Sequence, residues 1–162
     1  MADTVSYIQE GYHTLTPYMV VRGAAEAIEY YKQAFGAEEI TRMSSPDGKT
    51  IMHAEIKIGD SRVMMSDEFP EWGVQGPQAY GGTASGLAIY VPNVDEVFDR
   101  AVSLGATVKM PVADQFWGDR YGKLEDPFGH SWSIATHVKD LTEEEIRAAG
   151  QAAMAAMSGH CD

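Results

Sequence analysis

Apolar residues along this chain change period in a fixed order, and the order occurs twice. Residues 14–21 (TLTPYMVV) are rich in β-formers and predict a strand, which Pro17 confines to an edge or a bulge because proline donates no ladder hydrogen bond. Between positions 24 and 35, Ala24, Ala27, Ile28, Tyr31 and Phe35 recur at three- and four-residue spacing, which predicts a helix, and Gly36 supplies its stop. Three strands follow. Residues 39–44 lead into the turn Pro46-Asp47-Gly48, residues 51–58 lead into Gly59-Asp60, and residues 62–66 finish the set.

The second half repeats this plan. Residues 86–91 (GLAIYV) predict a strand and residues 94–104 (VDEVFDRAVSL) a helix ended by Gly105; residues 107–113, 123–125 and 130–136 predict three more strands. The helix ends superpose, Ala34-Phe35-Gly36-Ala37 answering Ser103-Leu104-Gly105-Ala106 from position 36 to position 105. Two copies of β-α-β-β-β are therefore expected, at residues 12–68 and 86–137. Residues 69–85 (FPEWGVQGPQAYGGTAS) lack apolar periodicity and are rich in Gly and Pro, which predicts a linker or exposed loop. In residues 140–158, Thr142 and Glu145 have capping-box spacing ahead of a narrow stripe of Ile146, Ala149, Ala153 and Met157, which predicts a helix that packs on a sheet or on a second subunit. The expectation is one α+β domain of two tandem βαβββ modules plus a C-terminal helix.

Composition narrows the function classes. At 162 residues the chain can bury a sizeable core, and its single cysteine, Cys161, rules out an internal disulfide. The first residues are neither basic nor apolar and no run approaches the roughly 20 apolar residues that span a bilayer, so a cytoplasmic protein without a membrane partner is expected. A net charge of −12 argues against nucleic acid, whose affinity comes from Lys and Arg displacing counterions.

The stretch 116–137, FWGDRYGKLEDPFGHSWSIATH, carries the most information. Asp126-Pro127-Phe128-Gly129 reads as a tight turn, with proline fixing φ and glycine accepting φ > 0, and it is entered through a loop holding Phe116, Trp117 and Tyr121. Together with the helix ending Tyr30-Tyr31-Lys32-Gln33-Ala34-Phe35-Gly36-Ala37 and the strand pair HAEIKIGDSRVMMSDE from His53 to Glu68, this stretch resembles the vicinal oxygen chelate superfamily, the glyoxalase, bleomycin-resistance and extradiol-dioxygenase group, and within it the PhnB-like branch. The resemblance covers about residues 12–137. It implies modules whose sheets cup a cavity, a homodimer, and, in the enzymes of the group, a divalent metal held by the first and last strands of each module and acting as a Lewis acid on vicinal oxygens of the substrate.

Counting from the helices and from the Asp126 turn puts those metal positions on Thr16, on one of Val63, Met64 or Met65, on Gly86 and on Ser133. None offers a carboxylate or imidazole, so no metal and no other cofactor is expected. Strand alternation turns Tyr18, Ala88, Tyr90, Ser131 and Ser133 toward the cavity, and His53, Glu55 and Lys57 toward the cavity or solvent. His53 and Glu55 can form an acid–base pair, two ligands of a shifted metal site, or a solvated polar pair. Phe116, Trp117 and Tyr121 offer ring faces and Arg120 a partner for an anionic group, or the loop packs on its own sheet. The expected site is thus Tyr18, His53, Glu55, Tyr90, Phe116, Trp117, Arg120, Tyr121 and Ser133, binding an organic small molecule without catalytic residues; an antibiotic-sequestering protein is one form of this reading, and a metal-dependent glyoxalase-like lyase, isomerase or dioxygenase with non-standard ligands is the alternative.

Overall fold

The computed structural model describes residues 5–158; Cys161 lies outside them. The chain divides between Thr83 and Ala84 into two compact units. In the first, β1 (Tyr18–Val21), α1 (Ala24–Phe35), β2 (Glu38–Ser44), β3 (Ile51–Ile58) and β4 (Ser61–Asp67) form a sheet of order β1-β4-β3-β2 with β1 parallel to β4. The second repeats the arrangement with β5 (Gly86–Tyr90), α2 (Val94–Ser103), β6 (Thr107–Asp114), β7 (Asp119–Glu125) and β8 (Ser131–His137), order β5-β8-β7-β6, followed by α3 (Glu143–Ser158). The fold is α+β, two four-stranded mixed sheets in tandem modules with a C-terminal helix. Between β4 and β5 the chain makes two 3-10 turns, Pro70–Trp72 and Pro77–Tyr80.

Helix α1 buries Ala27, Ile28, Tyr31 and Ala34 against the sheet's Met19, Val21, Ala54, Ile56 and Met65. It ends at Gly36, whose φ of 68° lets its N–H reach Lys32 O while Ala37 N–H reaches Tyr31 O. In the second unit Val94, Val97, Phe98 and Ala101 of α2 pack over Leu124, Trp132 and Ile134. Gly122 makes that approach possible: a Cβ there would stand 2.8 Å from both Phe98 Cε2 and Val112 Cγ2.

Matched positions hold the two helix starts. The Asp67 carboxylate accepts from Gly23 N (3.0 Å) and Ala24 N (2.7 Å), and its other oxygen takes Ile51 N (2.7 Å). At the corresponding end of β8, Thr136 Oγ1 accepts from Val94 N (2.8 Å) and donates to Val91 O (2.8 Å). These contacts quiet the orphan donors of each first turn and fasten helix to sheet. The turn into β8 is likewise built on one buried acid: Asp126 accepts from Phe128 N and His130 N, each at 2.9 Å, and from Trp132 Nε1 at 2.8 Å, with Gly129 at φ 89°.

Two strand boundaries differ from expectation by more than one residue. Strand β1 begins only at Tyr18, four residues late, because Pro17 interrupts the ladder donors; its carbonyl still accepts from Met64 N at 2.9 Å. Strand β7 begins at Asp119 rather than at 123, so Arg120 and Tyr121 are strand residues and not loop. Its alternation is invisible to an apolar pattern because one face carries Asp119 and Tyr121 and the other carries Arg120 and a bare Gly122. Helix α3 opens with the expected capping box, Thr142 Oγ1 accepting from Glu145 N at 3.2 Å and Glu145 Oε2 accepting from Thr142 N at 2.8 Å. Its half-buried side is Ile146, Ala149, Gly150 and Ala153, and Gly150 sits where a Cβ would be 3.1 Å from the Phe116 ring. No helix among the described residues is long and apolar enough to cross a membrane.

Candidate functional site

Each sheet has one face under its helix and one face turned away from it, and the register within each sheet shows which positions of the two units are equivalent. Tyr18 pairs with Met64 in the first sheet as Ala88 pairs with Ser133 in the second. Because Val21 and Val91 stand equally far ahead of their helices, Met64 and Ser133 are equivalent positions; Val63 and Met65 are buried on the helix side. The metal positions that the resemblance implies therefore fall on Thr16 and Met64 in one unit, Gly86 and Ser133 in the other. They do not fit a divalent ion. Thr16 Oγ1 leans toward His13 O at 3.4 Å, Met64 offers a thioether, Gly86 has no side chain, and the Ser133 hydroxyl shares a 2.7 Å hydrogen bond with Tyr121. Among the described residues no group of three or more His, Cys, Asp or Glu is arranged to hold a metal.

On the first unit's away face, the structure joins three of the expected residues into a chain. Tyr18 OH lies 3.4 Å from His53 Nδ1, and His53 Nε2 lies 3.3 Å from Glu55 Oε1. With Nε2–H directed at the carboxylate, Nδ1 is left as the acceptor facing the phenol. The second Glu55 oxygen takes Arg62 Nη1 at 3.1 Å, and Arg62 lies over the ring of Tyr12, 4.7 Å from its centroid. Burial alone would raise the Glu55 carboxyl, but hydrogen bonds from Tyr12, His53 and Arg62 outweigh it and hold the group below the usual carboxylate range. Burial and the bond to Glu55 push the Tyr12 phenol up. A cation seated on His53 and Glu55 would have the Arg62 guanidinium as a neighbour, so this pair does not fit a shifted metal site either.

The second unit's away face is aromatic and is organised by Asp119. This carboxylate is only 4% exposed and accepts three side-chain hydrogen bonds, from Tyr90 OH (2.9 Å), Trp117 Nε1 (3.0 Å) and His137 Nδ1 (2.7 Å). Burial would raise Asp119, yet the bonds from His137, Tyr90 and Trp117 together keep it below its ordinary value. The bond from His137 returns the effect, raising the imidazole, and Asp140 on Nε2 at 3.0 Å adds to it. Trp117 meets Phe116 edge-on at 5.0 Å between centroids and Tyr121 at 5.6 Å. Tyr90, Phe116 and Trp117 are thus held in one cluster with Tyr121 and Ser133, and Tyr90 remains 69% exposed.

Sequence reasoning included neither Asp119 nor His137 in the expected site. The available signal was strand alternation: had β7 been extended to Asp119, its pairing with His137 across β7 and β8 would have followed. Arg120 was expected beside the aromatic rings. It lies on the opposite face of β7 from Asp119 and Tyr121, where its guanidinium makes two 2.7 Å bonds to Asp95 at the start of α2 and a 3.0 Å bond to Asp114. Those bonds raise it further above its ordinary range, and strand alternation puts it on the face away from the aromatic cluster. Phe116 faces α3 at Gly150 as well as Trp117, so its ring is shared between the cluster and the last helix.

Comparison with known proteins places these faces in context. Residues 12–134 match the family model described as the Glyoxalase/Bleomycin resistance protein/Dioxygenase superfamily. The chain is similar to the uncharacterized protein Mb0911c of Mycobacterium bovis, 44% identical over 138 residues that cover 83% of this chain and 90% of that protein. Among solved structures it resembles TioX from Micromonospora sp. ML1, with a TM-score of 0.59 at 25% identity over 80% of this chain and 100% of TioX. The PhnB protein from Bacillus cereus has the same fold, with a TM-score of 0.61 at 19% identity over 76% of this chain and 99% of that one.

Proposed function

The chain belongs to the Glyoxalase/Bleomycin resistance protein/Dioxygenase superfamily, and on that premise we propose that it is a metal-free small-molecule-binding member, one that holds an organic ligand against the aromatic face of its second unit. The observation that carries this reading is the Asp119 cluster. A buried carboxylate that accepts bonds from Tyr90, Trp117 and His137 ties these side chains together and fixes ring faces in place. Rigid aromatic faces supply contact area at little entropic cost, which suits capture of an organic molecule, an antibiotic being one case. At the equivalent of the metal position Ser133 presents a hydroxyl already shared with Tyr121.

The test is a ligand screen read by tryptophan emission, followed by titration of the hit against Trp117→Ala. Loss of a few kcal/mol, the order expected of an interface aromatic, supports the reading; an unchanged titration curve takes the aromatic face out of the site. Elemental analysis of protein purified without chelator covers the metal-dependent alternative, and a stoichiometric metal lost on His53→Ala or Glu55→Ala would overturn the metal-free assignment. The proposed assembly is a homodimer, which a single-chain mass at equilibrium in the ultracentrifuge would refute.

A further inference from the structure

Helix α3 lies against the aromatic cluster without being embedded in it. Among its described residues none is fully buried, and Ile146, Ala149, Gly150 and Ala153 are half-buried. It comes closest at Gly150, where a Cβ would stand 3.1 Å from Phe116 Cε2 and 3.5 Å from Cζ. Glycine inside a helix costs stability relative to alanine, and here the bare Cα is what admits the ring. Phe116 meets Trp117 edge-on, so α3 touches the ring cluster at its rim. The lead into α3 is fastened as well. Val138 N and Lys139 N both donate to Gly118 O, at 2.9 and 3.0 Å, and Gly118, at φ 98°, leaves room for Lys139 O where a Cβ would collide with it. One residue further on, Asp140 accepts from His137 Nε2 at 3.0 Å while Asp119 accepts from Nδ1 at 2.7 Å. Only an imidazolium donates from both ring nitrogens.

We propose that α3 is a cover on the aromatic face, latched shut by the imidazolium of His137 and released when that ring becomes neutral. Asp119 is buried and would be left a donor short, so the single N–H of the neutral ring stays on Nδ1; Asp140 is fully exposed, and water replaces what it loses. Nε2 then turns a lone pair toward the Asp140 carboxylate, and the two repel. The tie beside the first turn of α3 is gone while Gly118 still holds residues 138 and 139, which makes residues 140–142 the pivot. Asp119 of β7 and Asp140 flank the ring; Tyr90 of β5 and Trp117 reach it through Asp119, Arg120 lies on the opposite face of β7, and Lys139 acts on Glu145. The bond to Asp119 and then that to Asp140 raise the imidazole, so the latch is fully shut below the ordinary histidine pKa of about 6.5 and gives way as pH rises through the raised value. Such a cover would govern entry to the aromatic face. This regulation rests on that face being the ligand site, and its test therefore uses no ligand.

Two NMR readouts on the full chain serve: the Gly150 amide, which feels the ring current of Phe116, and the relaxation of the Phe116 ring protons by a neutral, soluble gadolinium chelate. Raising the pH from about 5 to about 9, across the imidazole range, should move the Gly150 amide and increase the Phe116 relaxation severalfold, both with the midpoint of the His137 titration. Position 140 then separates a latch from a mere contact. Asp140→Asn offers an oxygen to the imidazolium and an N–H to the neutral ring, so both readouts should stay at their low-pH values throughout. Asp140→Ala removes the latch from an exposed position, so both should stay at their high-pH values throughout. Flat readouts in the unaltered chain, or its full transition persisting in either variant, would overturn the proposal. A latch that titrates as described beside a failed ligand screen would support the cover and count against the aromatic face as the ligand site.

Discussion

Replacing Asp119 by asparagine removes a charge at the point where three side chains of the second unit meet. The carboxylate is almost inaccessible and accepts from Tyr90, Trp117 and His137 at 2.9, 3.0 and 2.7 Å. An amide keeps one acceptor oxygen and directs an N–H₂ group at one or more of these donors. Hydrogen bonds to charged groups contribute roughly 1.5–3 kcal/mol and neutral ones roughly 0.5–1.5. Losing charge assistance on the bonds that persist and leaving one donor unmatched therefore costs about 3 kcal/mol, which urea unfolding reads as a lower midpoint at unchanged slope. The pH profile gives the second readout. Asp119 is held below its ordinary value, so its contribution is full above the unfolded carboxylate pKa of about 3.9 and is lost as pH falls through the folded value. His137 is raised, so its contribution is full below the unfolded imidazole pKa of about 6.5 and is lost as pH rises through the folded value. Asp119→Asn should flatten both limbs and bring the His137 titration down, followed by NMR. A stability loss under about 1 kcal/mol with an unmoved His137 titration would refute the assignment of Asp119 as the organising group.

Other perturbations separate framework from site. Asp67→Asn leaves one oxygen for the three backbone donors at Gly23, Ala24 and Ile51, and is expected to cost about 1–3 kcal/mol in urea unfolding. Arg120→Ala should lower the unfolding midpoint, by freeing Asp95 and Asp114, while leaving the affinity of any ligand of the aromatic face within error; a large affinity loss would contradict its placement on the helix side. Gly122→Ala forces a methyl into Phe98 and Val112, and about 1–3 kcal/mol of destabilisation is expected, visible as a lower thermal midpoint.

Much of the architecture was present in the order of residues, because it depends on short-range periodicity. Helix α1 spans the same residues the three- and four-residue spacing marks out, and β3 the same residues as its alternating run. The Pro127 and Gly129 turn placed Ser133 on the away face of β8 by counting alone, since side chains alternate strictly along a strand. The matched glycines at 36 and 105 revealed the duplication for the same reason: a helix stop needs a residue that accepts the left-handed conformation, wherever the chain goes next.

The chemistry of the faces was decided elsewhere. Whether the metal-equivalent residue is Val63, Met64 or Met65 depended on which residue β1 sets beside Tyr18, a parallel pairing across more than forty positions of sequence. Arg120 and Tyr121 are neighbours in the chain, yet one bonds a helix and the other faces the aromatic cluster, because β7 extends four residues further than its polar composition suggests. Asp119 became a site residue only when β8 brought His137 opposite it and β5 delivered the Tyr90 hydroxyl. Sequence by itself thus determined most of the elements and their duplication, which follow from local conformational preference. Only the tertiary structure decided which donors meet which carboxylate, because a buried acid takes its partners from strands and loops that approach it through folding and not along the chain.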